Sequence, residues 1–397
     1  EKFWQELIRY FEVDFAGSSD CEGVNHFLEY SWFPEMRINF AENLLKKGRD
    51  KDICCHFFHE SGKEQKITYK KLREDVARIQ NYFKDIILAG DVVACYMPNT
   101  IETLVTMLAT TSLGGVFTST SCDFGVPGVV DRLSQSKPKV LVSASSYSYG
   151  GKTFDQRNNI KEIAEQVPSI QTIIDVNFLE NDLNLDLASC VKWEDIEPVL
   201  SSPFFFFFSF SSSLYIMYSS GTTGKPKCII HSVGGTLLQH IKELGLHCDL
   251  TQDKSIFFFT TCGWMMWNWL MSSLFFGAKI GLYEGSPAYP SATDFMKKLS
   301  DLEFSIIGTS PKFLKALELE GYNNQHSFSH SETILSTGSP LLDENFDFVY
   351  DKIKSQVHLA SISGGTDILG CFMLGNPLKK VERGYIQGAG LAMDIAA

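Results

Sequence analysis

No CxxC pair, no long basic run and no cysteine–histidine set at zinc-finger spacing occurs in these 397 residues. The first absence removes thioredoxin-like redox chemistry, and the last removes a structural zinc site. The ten cysteines include the adjacent pair Cys54 and Cys55, which suits a disulfide framework poorly. Free, mostly buried thiols in a reducing compartment follow, and with them a cytoplasmic location. The missing basic cluster and a formal net charge of -12 exclude a polyanion-binding surface, so nucleic acid is not an expected partner. An acidic chain can still bind a nucleotide, because a few local donors and a metal ion suffice. The chain opens Glu1-Lys2-Phe3-Trp4 with no secretory-leader pattern, and the lack of an initiator Met leaves an upstream segment open.

Charge is also missing from one long stretch, Ile256 to Ala278, which is about long enough to cross a bilayer. Thr260, Thr261, Gly263, Asn268, Ser272 and Ser273 interrupt it. A buried strand at 256–259 followed by a Trp- and Met-rich helix accounts for it without a membrane span.

What is present is a large hydrophobic share, 44%, enough to bury a substantial core, in a length that suggests two or three domains. Phe3, Trp4, Leu7, Ile8 and Phe11 fall at helical spacing, and a short helix is expected over Asn39 to Lys47, ended by Gly48. From Ile67 strands and helices alternate. Val92 to Tyr96, a helix from Asn99 or Thr100 to Gly114-Gly115, and Val116 to Thr118 form one βαβ unit. Apolar runs recur at 140–142, 172–174, 256–259, 280–283, 305–307 and 333–335, with a helix over Pro311 to Leu319. The fold class is therefore α/β, with layered, mostly parallel sheets flanked by helices. Three segments are expected: a helical extension at 1–60, a first α/β subdomain at 61–200 and a second at 201–397. Ser143 to Gly151 reads as a surface loop. The five consecutive phenylalanines Phe204 to Phe208 cannot all face inward from one element, so some are expected at the surface.

The chemistry concentrates in Tyr218-Ser219-Ser220-Gly221-Thr222-Thr223-Gly224-Lys225-Pro226-Lys227, set between the apolar runs 214–217 and 228–230. Glycines let backbone N–H groups wrap an anion, hydroxyls rotate to suit it, and lysines add positive charge. A triphosphate fits that loop. A Walker loop needs GxxxxGK[ST] opening a helix. Here the glycines are three apart and Pro226 stands where Ser or Thr should, so that reading fails.

This decapeptide resembles the phosphate-binding signature of the adenylate-forming superfamily, which includes acyl-CoA synthetases, luciferases and peptide-synthetase adenylation domains. Four further segments resemble the acetoacetyl-CoA synthetase subfamily: 119–126 (STSCDFGV), 263–269 (GWMMWNW), 334–341 (ILSTGSPL) and 361–368 (SISGGTDI). The resemblance runs in order from about Phe3 to Gln387. It implies the large N-terminal domain of such enzymes. It also implies ATP, Mg²⁺ and coenzyme A as cosubstrates and cofactor, acetoacetate as the acid, and an acyl-adenylate intermediate.

By the same resemblance, Ser219, Ser220, Gly221, Thr222, Thr223, Gly224 and Lys225 hold the phosphates, with Lys227 at the reacting group. Gly338, Ser339 and Pro340 line the adenine pocket, where the alternative is an ordinary turn after a strand. Gly365 and Thr366 approach the α-phosphate, and Asp367 helps hold Mg²⁺ where a helix cap would otherwise be read. Acetate-activating relatives carry a bulky Trp near Gly364, so a glycine there is expected to leave room for a longer acid. Of Trp264, Trp267 and Trp269, core is the simpler reading, with Trp264 the best candidate for a pocket wall.

The sequence also departs from the family pattern. Cys122 replaces a usual Pro, Cys228 replaces a frequent Gly, and residues 388–397 drift away. Family members continue past Gln387, into a ribose-binding Asp, a hinge and a small C-terminal domain with a catalytic Lys. The chain alone is therefore expected to make negligible acetoacetyl-CoA. A non-catalytic nucleotide-binding remnant and a ligase for another short acid, such as propionate, stay open as alternatives.

Overall fold

The computed structural model describes residues 1–21, 30–181, 185–199, 202–219 and 224–396. Two seven-stranded sheets dominate it. In order across the first lie Cys190–Lys192, Thr172–Val176, Val140–Ala144, Val92–Tyr96, Val116–Thr120, Ser213–Ser219 and Lys227–Ser232. Across the second lie His358–Ser361, Thr333–Ser336, Ile306–Thr309, Ser255–Phe258, Lys279–Glu284, Ile53–His59 and Glu64–Thr68. In each, six neighbours run parallel and the last strand turns back antiparallel.

The two sheets share the same logic. Parallel strands buried on both faces need continuous apolar runs, and Val140–Ala144 and Ser255–Phe258 are buried throughout. The final strand of each is wetter on alternate or most positions, as an edge requires. Connecting helices such as Ile101–Ser112, Val126–Ser136 and Pro311–Leu319 cover the faces. Pro311 takes the first helical position behind Ser310, whose hydroxyl accepts from Phe313 N–H.

The chain interleaves the sheets. Ile53–Thr68, early in sequence, closes the second sheet, while Ser213–Ser232 closes the first. A boundary at residue 60 or 200 therefore follows the order of the chain and not the membership of the sheets. The join between sheets is polar and specific. Asn99 Nδ2 donates to Thr260 O and Tyr283 O, its Oδ1 accepts from Trp267 Nε1 at 2.8 Å, and its N–H donates to Glu284 at 2.6 Å.

One expectation from the sequence changes. Residues 143–151 are not a surface loop. Ser146–Tyr149 and Lys152–Asp155 form a hairpin, and Ser143, Ser145 and Ser146 are buried. Serine density signals turns only when the hydroxyls reach water, and here the preceding strand carries them inward. Glu60 stabilises the hairpin tip by accepting from Gly150 and Gly151 N–H.

The phenylalanine run is anchored by its backbone. Gln80 exchanges hydrogen bonds with Phe204 N and O, and Asn39 Nδ2 donates to Phe206 O. Phe208 pairs with Ile38 and fills the space beside Gly114. Phe206 and Phe207 remain exposed, as one-sided burial of five consecutive rings demands. Among the described residues no helix is long and apolar enough to cross a membrane, and 256–278 divides into strand, loop, helix and 3₁₀ turn.

Candidate functional site

In parallel α/β sheets the strands' carboxyl ends leave backbone groups and loops free to meet a ligand. The second sheet obeys this rule. Ser336 and Ser361, neighbours in register, end their strands side by side, and the chain continues into Thr337-Gly338-Ser339-Pro340 and Ser363-Gly364-Gly365-Thr366. Thr337 Oγ1 donates to Ile362 O at 2.9 Å and locks the two exits together. Gly338 has φ +94, a conformation that glycine adopts without strain, and it lets the exposed Gly338-Ser339-Pro340 turn project.

These exits, with Trp264, Met265, Met266, Cys371 and Ile386, bound a cleft of about 480 Å³. The cleft brings together Trp264, Gly338, Ser339, Pro340, Gly364, Gly365 and Thr366, which are distant in sequence. Trp264 is 62% exposed at the start of its helix, whereas Trp267 and Trp269 are fully buried. The buried pair is core, and each indole N–H is satisfied, by Asn99 and Glu243 respectively.

Gly364 lines the cleft, yet a Cβ built on it would lie 2.1 Å from Gly370 O. The glycine is thus required by the hairpin behind the cleft, which is a constraint separate from the size of an acyl pocket. Gly365 has no such neighbour within 4 Å.

The glycine- and hydroxyl-rich loop leaves the first sheet's edge. Ser213–Ser219 and Lys227–Ser232 pair antiparallel with Ser219 opposite Lys227. Ser220, Gly221, Thr222 and Thr223 lie outside the described residues. Gly224, Lys225 and Lys227 are exposed and Ser219 is half-buried, so the described part of the loop opens to solvent. Lys225 Nζ lies 3.5 Å from Asp131, a contact between exposed groups that a polyanion can replace. Gln135 donates to Pro226 O. Beneath the loop Tyr218 donates to Ser136 and accepts from Thr118, and burial pushes its hydroxyl up to about 12.

His231 shares a strand with Lys227. It lies four residues, roughly 13 Å of strand, beyond Lys227. Burial lowers its pKa, opposed by the Thr366 backbone and the Asp367 charge. Asp367 is exposed and forms no ion pair with a lysine or arginine among the described residues. Among those residues no three acidic, His or Cys groups converge as a metal cage. That donor set fits Mg²⁺, which binds one or two carboxylates together with phosphates and water, and does not fit a dedicated protein cage.

Sequence pattern does not disclose the roles of His231, Asn99 and Glu284. The only trace of His231 is a polar residue directly after the apolar run 228–230. Asn99 after Pro98 reads as a helix start and discloses nothing of its four hydrogen bonds. All ten cysteines are free, and burial raises the thiols of Cys55, Cys122, Cys262 and Cys371 well above their ordinary range, so these four are inert.

Two mostly parallel sheets joined near their carboxyl ends, one followed by a turn-lined cleft, define an α/β enzyme lobe. The AMP-binding enzyme model matches residues 41–393, and the chain belongs to that family. Its relatives narrow the class. The chain is 44% identical over 399 residues to the acetoacetyl-coenzyme A synthetase of Rhizobium meliloti, covering 99% of this chain and 61% of the relative. It is 41% identical over 378 residues to the acetoacetyl-CoA synthetase of Danio rerio, covering 92% and 56%. The solved acetoacetyl-CoA synthetase from Streptomyces lividans superposes with a TM-score of 0.92 at 32% identity, over 98% of this chain and 61% of that one. The chain thus spans about three-fifths of the length of these relatives.

Proposed function

We propose that this chain carries the nucleotide- and acid-binding half of an ATP-dependent acid–thiol ligase whose acid is acetoacetate. The observation that carries this reading is the cleft uniting Trp264, 338–340 and 364–366, with the exposed Asp367 directly after Thr366 in the chain. In such a reaction a carboxylate oxygen attacks the α-phosphorus of ATP, the bond to the β-phosphate oxygen breaks, and pyrophosphate leaves. The thiol of coenzyme A then attacks the acyl carbon, AMP departs with the former carboxylate oxygen, and the thiol proton is released. Little covalent chemistry falls to the protein, so position and charge neutralisation dominate.

The roles divide accordingly. Gly338, Ser339 and Pro340 offer backbone to a flat base. Ser219, Gly224, Lys225 and Lys227, with the intervening 220–223, hold the polyphosphate. Thr366 presents a hydroxyl to the α-phosphate. Asp367 would hold Mg²⁺, which neutralises phosphate charge when bound. Trp264 walls the acid. The relatives' names favour acetoacetate over propionate.

The test is a titration of acetoacetate, acetate and propionate into the chain saturated with Mg²⁺ and α,β-methylene-ATP. Acetoacetate should bind at least tenfold tighter than the other two. Equal affinity for all three would remove the substrate assignment, and no binding of the nucleotide would remove the reading as a whole.

A further inference from the structure

The helix Val233–Lys242 and its π-helical continuation Glu243–His247 carry a polar face inside the core. His240 and Glu243 are fully buried, and His247 nearly so. Buried polar groups are retained where each finds a partner, and these do. Apart from the helix's own groups and the Ser272 and Trp269 side chains, these partners lie in the chain that follows Thr366 and Asp367.

Leu369 O can only accept, so His240 Nε2–H donates to it at 2.9 Å, and the Ser272 hydroxyl donates to Nδ1 at 2.7 Å. Glu243 Oε1 accepts from Cys371 N–H at 2.8 Å and from Gln239 Nε2 at 2.8 Å, while Oε2 accepts from Trp269 Nε1 at 2.9 Å. His247 Nδ1–H donates to Gly375 O at 2.7 Å, and its Nε2 accepts from Leu391 N–H at 3.0 Å. A π-turn shifts register by one residue, and here Glu243 meets Cys371 in the strand Gly370–Leu374 while His247 meets Gly375 just past its end.

The packing is as tight as the bonding. A Cβ on Gly370 would lie 2.6 Å from Gln239 Nε2 and 2.7 Å from Glu243 Oε1. Gly370 O is the atom that a Cβ on Gly364 would strike at 2.1 Å. Helix face, Gly370, Gly364 and cleft therefore stack without slack. Between Leu369 and Gly364 hang Thr366 and Asp367, whose own side chains are part-exposed and exposed.

We propose that Glu243 and His240 are positioning residues. They fix the depth and register of the hairpin 363–374, and so aim Thr366 and Asp367 at the phosphates and their cation. This inference rests on the assignment of the site above. It makes a distinction that a purely structural role would not. Disturbing the face should weaken ligands that reach Thr366 and Asp367 and spare those held only by 338–340.

The experiment measures the affinities of the full chain for Mg·ATP and for adenosine by calorimetry, with thermal unfolding alongside. Glu243→Ala and His240→Ala should each weaken Mg·ATP about tenfold and leave adenosine within about twofold. Glu243→Gln, which keeps an acceptor for Cys371 N–H, and His240→Gln, which keeps a donor for Leu369 O, should restore most of the loss. Ile163→Ala, in a separate core cluster of the first sheet, supplies a destabilised control whose affinity ratio should not move. Wild-type affinity for Mg·ATP in folded Ala variants, or equal weakening of both ligands, overturns the proposal. Should Glu243→Ala fail to fold, His240→Asn decides, because its shorter amide falls short of Leu369 O; an unchanged ratio there overturns the proposal equally. Asp367→Asn and Lys227→Ala keep the two levels apart. If neither weakens Mg·ATP, the site assignment falls; if both do and the helix variants do not, only the positioning role falls.

Discussion

Replacing Glu284 by Gln should change how stability depends on pH, and the structure supplies the size of the change. Glu284 is buried at the end of its strand, where the two sheets join. It accepts from Asn99 N–H, but burial pushes its carboxyl from the ordinary 4.5 up to about 8, helped by the charges of Asp123 and Glu60. In the folded protein the group stays protonated at neutral pH, while in the unfolded chain it ionises. Its folded pKa is the higher one, so its contribution is full below about pH 4.5 and is lost as pH rises towards 8. At about 1.4 kcal/mol per pH unit, that loss between pH 5 and pH 8 comes to roughly 3 kcal/mol. Glutamine cannot titrate and still offers Asn99 an acceptor. Any fixed cost of its buried amide shifts the curve without tilting it. Urea unfolding of wild type and variant at pH 5, 6, 7 and 8 isolates the tilt. The stability difference between them should move by roughly 3 kcal/mol in favour of the variant as pH rises. Parallel curves would refute the argument and place an ionised carboxylate at this join.

Three other outcomes follow from the same structure. Burial holds His240 down to about 3, so stability should fall as pH drops below 6.5. The loss is about 2 kcal/mol between pH 7 and pH 5, and urea titrations of His240→Gln should lack that part of it. Gly364→Ala drives a methyl against Gly370 O and should cost about 1–3 kcal/mol, while Gly365→Ala, with open space around it, should stay within about 0.5 kcal/mol by thermal unfolding. Trp267→Ala should cost about 3–5 kcal/mol and Trp264→Ala under about 0.5 kcal/mol, since one indole is buried and the other exposed. A large stability loss at Trp264 would make it core and remove it from the cleft.

Much of the fold was legible because parallel strands and their helices are local patterns. The runs at 92–96, 140–142, 280–283 and 333–335 and the helix at 311–319 all appear where apolar periodicity and Pro311 place them. Which strand joins which sheet was not legible. Pairing of Ile53–His59 with Lys279–Glu284 depends on contacts more than two hundred residues apart, which no local pattern records. The hairpin at 146–155 was missed because serines mark turns only when their hydroxyls face water.

The site divides in the same way. Its loops were legible as glycine, hydroxyl and lysine clusters, and the cleft unites Trp264 with 338–340 and 364–366. The groups that hold those loops were not legible. His240, Glu243 and His247 sit in a helix that by sequence looks like any amphipathic segment, and their meaning comes only from Leu369, Cys371 and Gly375 arriving opposite them. At Gly364 the sequence suggests room in a pocket, and the Gly370 backbone adds a separate steric requirement for glycine that no local pattern records.

The claim beneath all of this is that one polyphosphate spans the lysine loop and the Thr366–Asp367 turn, sharing its cation with Asp367. Titrating Mg·ATP into the chain, into Lys225→Ala/Lys227→Ala and into Asp367→Asn, with and without Mg²⁺, tests it most directly. The account predicts saturable one-to-one binding that the lysine variant loses at least tenfold, and a Mg²⁺ dependence that disappears in Asp367→Asn. Full affinity in the lysine variant, or an unchanged Mg²⁺ dependence in Asp367→Asn, would contradict it.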